Sequence, residues 1–366
     1  GRVCRHETHD SERNRTEEMM TTPMWDSSPK WPWPCEEDIN KYLNVPDYYL
    51  VGYEEVRGFL RGLQKGRIDS AGTSAGGRDL TVVYYGPSKP ERTLCVTGST
   101  HGTEVEGVAS VINAIRVLDA GSDLRGEKWG RLQNVAQKVG FYLMPFYNPD
   151  AAARAIVKSY VDMPFDAVNH LHVGFWKNGR TLNRKIVFGP WTERSDLFDR
   201  LDRIAYLGAR YNDAGADINR CPSGRKSNAV ETQQMLKYLE TQRVDCYMDM
   251  HSHSTEPWLG RPAQQHYKGD YDALVKLQDL TAKYTKRAGG PELALAANRP
   301  TTWYNSPFFA HNLGIYGFTY EELAGFKGNF SPDKPLEEIW LENTYNGMHT
   351  ILALAEALLE VPSAWE

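Results

Sequence analysis

Thr93-Leu94-Cys95-Val96-Thr97-Gly98-Ser99-Thr100-His101-Gly102-Thr103-Glu104 begins as a β-rich apolar run and passes through small residues. It then presents a histidine and a carboxylate three positions apart, where a helix can start. From Glu104 to about Leu118, the residues Val105, Val108, Ala109, Ile112 and Ile115 recur at the i, i+3, i+4 spacing of a helix that lays an apolar stripe on a sheet. A strand that feeds a helix in this way is the repeating unit of an open α/β sheet, and such sheets gather ligands outside the carboxyl ends of their strands. His101 and Glu104 therefore stand where a site can be built.

Working outward, Tyr49 to Leu63 reads as an amphipathic helix, and Gly72 to Arg78 as a turn into the strand Leu80 to Tyr85. After the helix from Glu104 comes a strand, Gly140 to Met144, which ends in Pro145-Phe146-Tyr147-Asn148-Pro149-Asp150, and a long mixed region of loop and short helices to about Gly215. A helix from about Val230 to Leu239 precedes the strand Val244 to Met250, which runs straight into His251-Ser252-His253. Ile315 to Tyr320 is a further strand that delivers Glu321-Glu322, and a helix from about Glu337 to Glu360 closes the chain. Without internal repeats, this alternation predicts an α/β fold: a mostly parallel, mixed central sheet covered by helices on both faces.

Residues 1–44 are polar at first and then Pro- and Trp-rich through Trp31-Pro32-Trp33-Pro34, so they read as an extension draped over a catalytic domain of residues 45–366. The 366 residues can bury a substantial core. Forty-two basic and 47 acidic residues give a net charge of −5 and a pI near 6.1, without long blocks of one sign, which argues against a nucleic-acid or anionic-membrane partner. The most apolar stretch, about Ile351 to Leu359, contains Glu356 and falls far short of the ~20 residues of a membrane span, so a soluble protein is expected. Five scattered cysteines, Cys4, Cys35, Cys95, Cys221 and Cys246, fit free thiols better than a disulfide framework and favour a reducing, cytoplasmic compartment. The start of the sequence carries no basic-then-apolar signal segment.

His101, Glu104, His251 and Glu321 come from three strand ends that a parallel sheet brings to one edge. Two imidazoles and one carboxylate on zinc leave a fourth position open for water, which is the donor set of a catalytic site. A further carboxylate beside it can take the proton. The same ligand types also serve non-haem iron.

In order along the chain stand AGTSAGGRDL, STHGTEVEG, PFYNPD, TLNRKI, GADINR, MDMHSHS and FTYEEL. Over roughly residues 48 to 360, these pieces and their spacings resemble the zinc carboxypeptidases of the funnelin type, the family of pancreatic carboxypeptidase A. The resemblance implies a carboxypeptidase fold and one zinc per chain, held by His101, Glu104 and His251. It makes Glu321 the general base, although the adjacent Glu322 leaves that assignment open by one residue. It implies that Arg184 polarises the scissile carbonyl, that Asn219 and Arg220 grip the substrate's terminal carboxylate, and that Asp217 orients His101. Asp249 is expected on the opposite face of its strand.

Departures from the family pattern accompany the match. Ala151 follows Asn-Pro-Asp where the family has Gly, and the pocket tyrosine has only Tyr304 as a near counterpart. Arg299 to His311 holds no acidic residue, which disfavours basic C-terminal side chains and leaves His253, His311 or Arg299 to favour apolar or acidic ones. No activation prodomain of the pancreatic kind fits into residues 1–44, so activity without processing is expected. The resemblance implies hydrolysis of the C-terminal amide of a peptide or N-acyl amino acid that carries a free carboxylate. The alternatives are an aspartoacylase- or succinylglutamate desuccinylase-like amidohydrolase and a non-catalytic binding module.

Overall fold

The computed structural model describes residues 35–178, 180–182, 201–220, 229–254, 256–297, 304–323, 327–328 and 333–366. Arg184, Arg299, Trp31, Trp33, Cys4 and Cys221 lie outside them, as does the side chain of His253. In chain order the elements are α1 (Asn40–Leu43), α2 (Tyr53–Arg61), β1 (Arg67–Thr73), β2 (Asp79–Tyr85), β3 (Arg92–Thr97), α3 (Glu106–Ala120), α4 (Gly130–Val135) and β4 (Val139–Met144). There follow α5 (Pro149–Arg154), α6 (Phe165–Val173), β5 (Gly174–Trp176), β6 (Ile204–Leu207), α7 (Val230–Thr241), β7 (Cys246–Ser254) and β8 (Trp258–Arg261). The chain ends with α8 (Tyr271–Arg287), β9 (Ala294–Ala297), α9 (Asn305–Leu313), β10 (Tyr316–Leu323) and α10 (Leu336–Leu358).

One eight-stranded sheet runs in the order β1-β2-β4-β3-β7-β10-β8-β9. Its centre, β4-β3-β7-β10, is wholly parallel, with antiparallel pairs at β1-β2, β2-β4 and β10-β8. The mostly parallel mixed sheet of the sequence reading is thus the architecture observed.

Alternate residues of the central strands divide between two cores, as a sheet covered on both faces requires. Leu94, Val96, Cys246, Met248 and Met250 pack with α3 and α10 on one side. Cys95 and Tyr247 pack with Met235 and Leu239 of α7 and Phe308 and Phe309 of α9 on the other. Tyr42 of α1 is wholly buried in the first core, and its carbonyl accepts from the amides of Lys158 and Ser159. Among the described residues no helix is long and apolar enough to cross a membrane.

The structure departs from the sequence reading in identifiable places. Helix α3 begins at Glu106 and not at Glu104, because residues 101–104 form a turn closed by the Glu104 amide on the His101 carbonyl at 3.0 Å. Glu104 is thereby left outside the helix and faces His101. The mixed region after Asp150 contains α5, α6 and a separate β5-β6 ribbon, while β1, β8, β9, α8 and α9 are additional elements. Despite Ala151, the Asn-Pro-Asp segment forms a well-capped helix: Asn148 Oδ1 accepts from the Ala151 amide at 3.1 Å and Pro149 sits at the first position.

Candidate metal and active site

The parallel centre of the sheet brings the ends of β3, β7 and β10 to one edge. His101 and Glu104 leave β3 in the turn before α3, His251 lies near the end of β7, and the register pairs Glu321 of β10 with His251. His101 Nδ1 is 2.8 Å from Glu104 Oε1, and His251 Nδ1 is 2.6 Å from Glu104 Oε2. All three side chains are buried. Two imidazoles therefore grip the two oxygens of one carboxylate, although His251 stands 147 residues from Glu104 in the chain.

The far nitrogen of each ring faces another carboxylate. Asp249 Oδ2 stands 2.9 Å from His251 Nε2, and Asp217 Oδ1 stands 3.5 Å from His101 Nε2. This corrects the expectation for Asp249, since residues i and i+2 of a strand share a face and Asp249 accompanies His251. Its other oxygen accepts from Thr100 Oγ1 at 2.6 Å and Thr97 Oγ1 at 3.2 Å.

The donor set fits a metal ion. Imidazoles that present Nε2–H to carboxylates direct their Nδ1 lone pairs at the lone pairs of Glu104, an arrangement that is repulsive unless positive charge lies between. In the metal-free chain a proton on His251 takes that place. Burial alone would raise the Glu104 carboxyl, but His101 and His251 hold it well below its ordinary value. Burial opposes charge on His251, yet Asp249 and Glu104 push it well above the usual histidine range.

His172 is also close enough to His101 and Glu104 for a different trio of ligands. Its ring nitrogens are already engaged: Nε2 lies 2.8 Å from Arg210 Nη1, and Nδ1 lies 2.6 Å from Thr103 Oγ1. A guanidinium can only donate, so Nε2 accepts and Nδ1 keeps the proton. Neither nitrogen has a lone pair to offer, whereas His251 Nδ1 faces Glu104, the carboxylate that would share the ion, so His251 is the better third ligand.

Strand alternation separates the two adjacent glutamates. Glu321 shares a face with His251 and is pushed up to about 8, chiefly by burial, against the lowering influence of His251 and Arg210. Glu322 turns to the opposite face, where Tyr320 Oη donates to it at 2.5 Å and Asn346 Nδ2 at 3.3 Å. Of the two, Glu321 is the one on the face of His251.

The remaining sequence candidates lie around this centre. Asp217 is held well below the ordinary aspartate range: burial works the other way, and the guanidiniums of Arg210 and Arg220 outweigh it. Asn219 Oδ1 accepts from the Asn305 amide at 2.9 Å, and its Nδ2 lies 3.4 Å from His251 Nε2. Arg220 is half-buried, donates to the Asn219 carbonyl at 2.8 Å and stacks over the Tyr304 ring at 4.8 Å. Tyr304 and Arg220 thus stand together, although nothing in their sequence spacing joins them. His311 Nδ1 is tied to the His266 carbonyl at 2.8 Å. Sequence reasoning missed Arg210, His172 and Asp249. Asp249 was legible from strand alternation, while Arg210 and His172 sit in the mixed region, where no periodic signal marks them.

A family model described as zinc carboxypeptidase matches residues 64–346, more than half of the chain. No curated protein sequence matches. Among solved structures, a metallo-carboxypeptidase from Burkholderia cenocepacia is 16% identical with a TM-score of 0.54, over 82% of this chain and 66% of that one. Bovine thrombin-activatable fibrinolysis inhibitor, in complex with tick carboxypeptidase inhibitor, is 15% identical with a TM-score of 0.54, over 86% and 99%. Carboxypeptidase A from Helicoverpa armigera is 14% identical with a TM-score of 0.52, over 89% and 77%. The chain thus spans about two thirds of the length of the Burkholderia structure. At these identities the likeness is one of fold.

Proposed function

The chain belongs to the zinc carboxypeptidase family, and from that premise we propose that it is a metallocarboxypeptidase that hydrolyses the C-terminal amide bond of a peptide or N-acyl amino acid. One observation carries the reading: the Nδ1 atoms of His101 and His251 converge on the two oxygens of Glu104, with Glu321 on the same strand edge. In this reading residues 45–366 form the catalytic domain and residues 1–44 an extension.

His101, Glu104 and His251 would hold one zinc ion, which when bound supplies Lewis acidity to water and to the scissile carbonyl. Asp249 and Asp217 keep the two imidazoles turned so that Nδ1 points inward. Glu321 takes the proton of the attacking water and returns it to the departing amine. Its carboxyl, at about 8 in the metal-free chain, would be drawn toward the ionised form by the positive charge of an occupied cradle. Arg220, held over Tyr304 and tied to the Asn219 carbonyl, offers a guanidinium to the terminal carboxylate of the substrate. Arg184 is proposed to stabilise the oxyanion, Asn219 to assist Arg220, and His253 and Tyr304 to line the side-chain pocket.

The reading is supported if the purified chain binds about one equivalent of zinc and cleaves N-blocked dipeptides with a free carboxylate, but not their C-terminal amides. Equal cleavage of carboxylate and amide forms would remove the terminal-carboxylate grip. A metal-free, inactive protein would remove the enzyme.

A further inference from the structure

The turn that carries His101 and Glu104 is braced from behind by two buried side chains that the hydrolytic reading leaves unassigned, His172 on α6 and Arg210 after β6. They are 6% and 3% exposed. Their backbones are stitched to each other and to the turn: the Arg210 amide donates to the His172 carbonyl at 2.9 Å, and the Gly102 amide donates to the Ala209 carbonyl at 2.8 Å.

The side chains continue the stitching. Thr103, between the two ligands of the turn, meets His172 Nδ1 at 2.6 Å; His172 Nε2 meets Arg210 Nη1 at 2.8 Å; Arg210 Nε meets Asp217 Oδ2 at 2.6 Å. Asp217 Oδ1 then accepts from the Asn219 amide at 3.0 Å and faces His101 Nε2 at 3.5 Å. The circuit starts on the ligand turn and returns to it. Its polarity is fixed, because a guanidinium donates at both ends. Asp217 must accept, and His172 must be neutral with its proton on Nδ1, donating to Thr103.

We infer that His172 and Arg210 are a positioning pair that holds the His101–Glu104 turn and Asp217 in one geometry, so that the metal cradle is assembled before the ion arrives. The inference rests on the zinc reading for its consequence but not for its geometry. A buried imidazole removed from this circuit leaves both Thr103 Oγ1 and Arg210 Nη1 without the partner they have here, so the turn relaxes and ligand orientation is lost.

The test uses the full chain and three substitutions. His172→Phe removes both links, His172→Asn keeps a donor near the Nδ1 position toward Thr103, and His172→Gln keeps an acceptor near the Nε2 position toward Arg210. Zinc affinity is read by chelator competition at constant pH, and it should weaken ~10- to 100-fold in His172→Phe, with a smaller loss in at least one of the two amide variants. Thermal melting of the metal-free proteins provides the control. A weaker zinc affinity in an amide variant that melts like the wild type marks positioning and not general destabilisation. Affinities within about twofold of wild type in all three variants would overturn the inference.

A second measurement does not depend on metal. In ¹⁵N-histidine spectra of the metal-free protein, His172 should show the neutral tautomer protonated at Nδ1, and Arg210→Gln should disturb it. An Nε2-protonated or cationic His172 would overturn the pairing even if zinc binds. A wild-type chain that binds no zinc while His172 shows the predicted tautomer would sink the proposed function and leave the brace standing.

Discussion

Glu321→Gln and Glu322→Gln are neighbouring substitutions of the same chemistry for which the structure demands opposite outcomes. The register of β10 on β7 sets Glu321 beside His251, and alternation sends Glu322 to the far face between Tyr320 and Asn346. Glutamine preserves the size of the side chain and removes its basicity. At position 321 the expected loss is that of the proposed general base, roughly 10²- to 10⁴-fold in kcat, which corresponds to about 3–5 kcal/mol of barrier. Glu321 is not among the three proposed zinc donors, so metal content should stay at the wild-type level and KM should move much less than kcat. At position 322 the carboxyl accepts three hydrogen bonds, from Tyr320 Oη at 2.5 Å, the Leu323 amide at 2.9 Å and Asn346 Nδ2 at 3.3 Å. Burial pushes that carboxyl up to about 8, so near pH 7 it is mostly uncharged already. A neutral amide there should change folding stability by about 1 kcal/mol and leave kcat within a few-fold. The assay is steady-state hydrolysis of a blocked dipeptide at saturating zinc, with metal content and urea midpoints measured on the same preparations. If Glu322→Gln were the inactive variant and Glu321→Gln kept a tenth or more of wild-type kcat, the assignment of the base and the register argument would both fail.

Three further outcomes follow from the packing. Asp249→Ala takes away the carboxylate 2.9 Å from His251 Nε2 and should weaken zinc ~10- to 100-fold; an unchanged affinity in a chelator titration would show that His251 needs no orienting partner. Gly107→Ala would set a methyl 2.8 Å from Met250 Cβ and 3.2 Å from its carbonyl oxygen, where helix and strand have no slack. A stability loss of about 1–3 kcal/mol is expected, and a melting temperature equal to the wild type would refute the close approach. His349 is lowered from 6.5 to about 4, by burial and then by Arg131, so between those values the unfolded chain takes up a proton that the folded chain refuses. Stability is therefore lost as pH falls through that window. His349→Gln should lose less on going from pH 7 to pH 5 in urea titrations, and parallel losses would count against the assignment.

The centre of the fold was legible because β3, β7 and β10 announce themselves as apolar runs that end in charged residues, and the parallel sheet does the rest. The rule that strand ends meet gathered His101, Glu104, His251 and Glu321 as candidates, and the order of the surrounding motifs assigned their expected roles. What stayed hidden had mixed polarity. The buried face of α8 carries Gln278, Thr281 and Thr285 after Leu274 and Leu277, which breaks the apolar stripe that identifies a helix. Gln278 repays its burial by donating to the carbonyls of Leu259 and Ala296, partners invisible before the chain is folded. The one local signal was Asp270, which caps α8 by accepting from the Ala273 amide at 3.0 Å. His172 and Arg210 are 38 residues apart and belong to no periodic segment. Their pairing exists only through the backbone contacts between α6 and the chain after β6.

The placement of the proposed base is decided several residues before it. Gly317, Thr319 and Glu321 share one face of β10, and α9 lies against that face. A side chain at 317 would meet the Ser306 carbonyl at 2.6 Å, and the Thr319 hydroxyl is bonded to that of Ser306 at 2.6 Å. A slip of one residue would drive Tyr316 or Phe318 into the backbone of α9 and bury a second large ring where only a glycine fits. The slip that sets Phe318 at 317 would also bring Glu322 to the place of Glu321 beside His251. The absence of a side chain at 317 and the hydroxyl pair at 306 and 319 therefore fix which of two identical carboxylates faces the cradle. The choice between the two carboxylates is a consequence of helix–sheet packing, set at a distance from the proposed site.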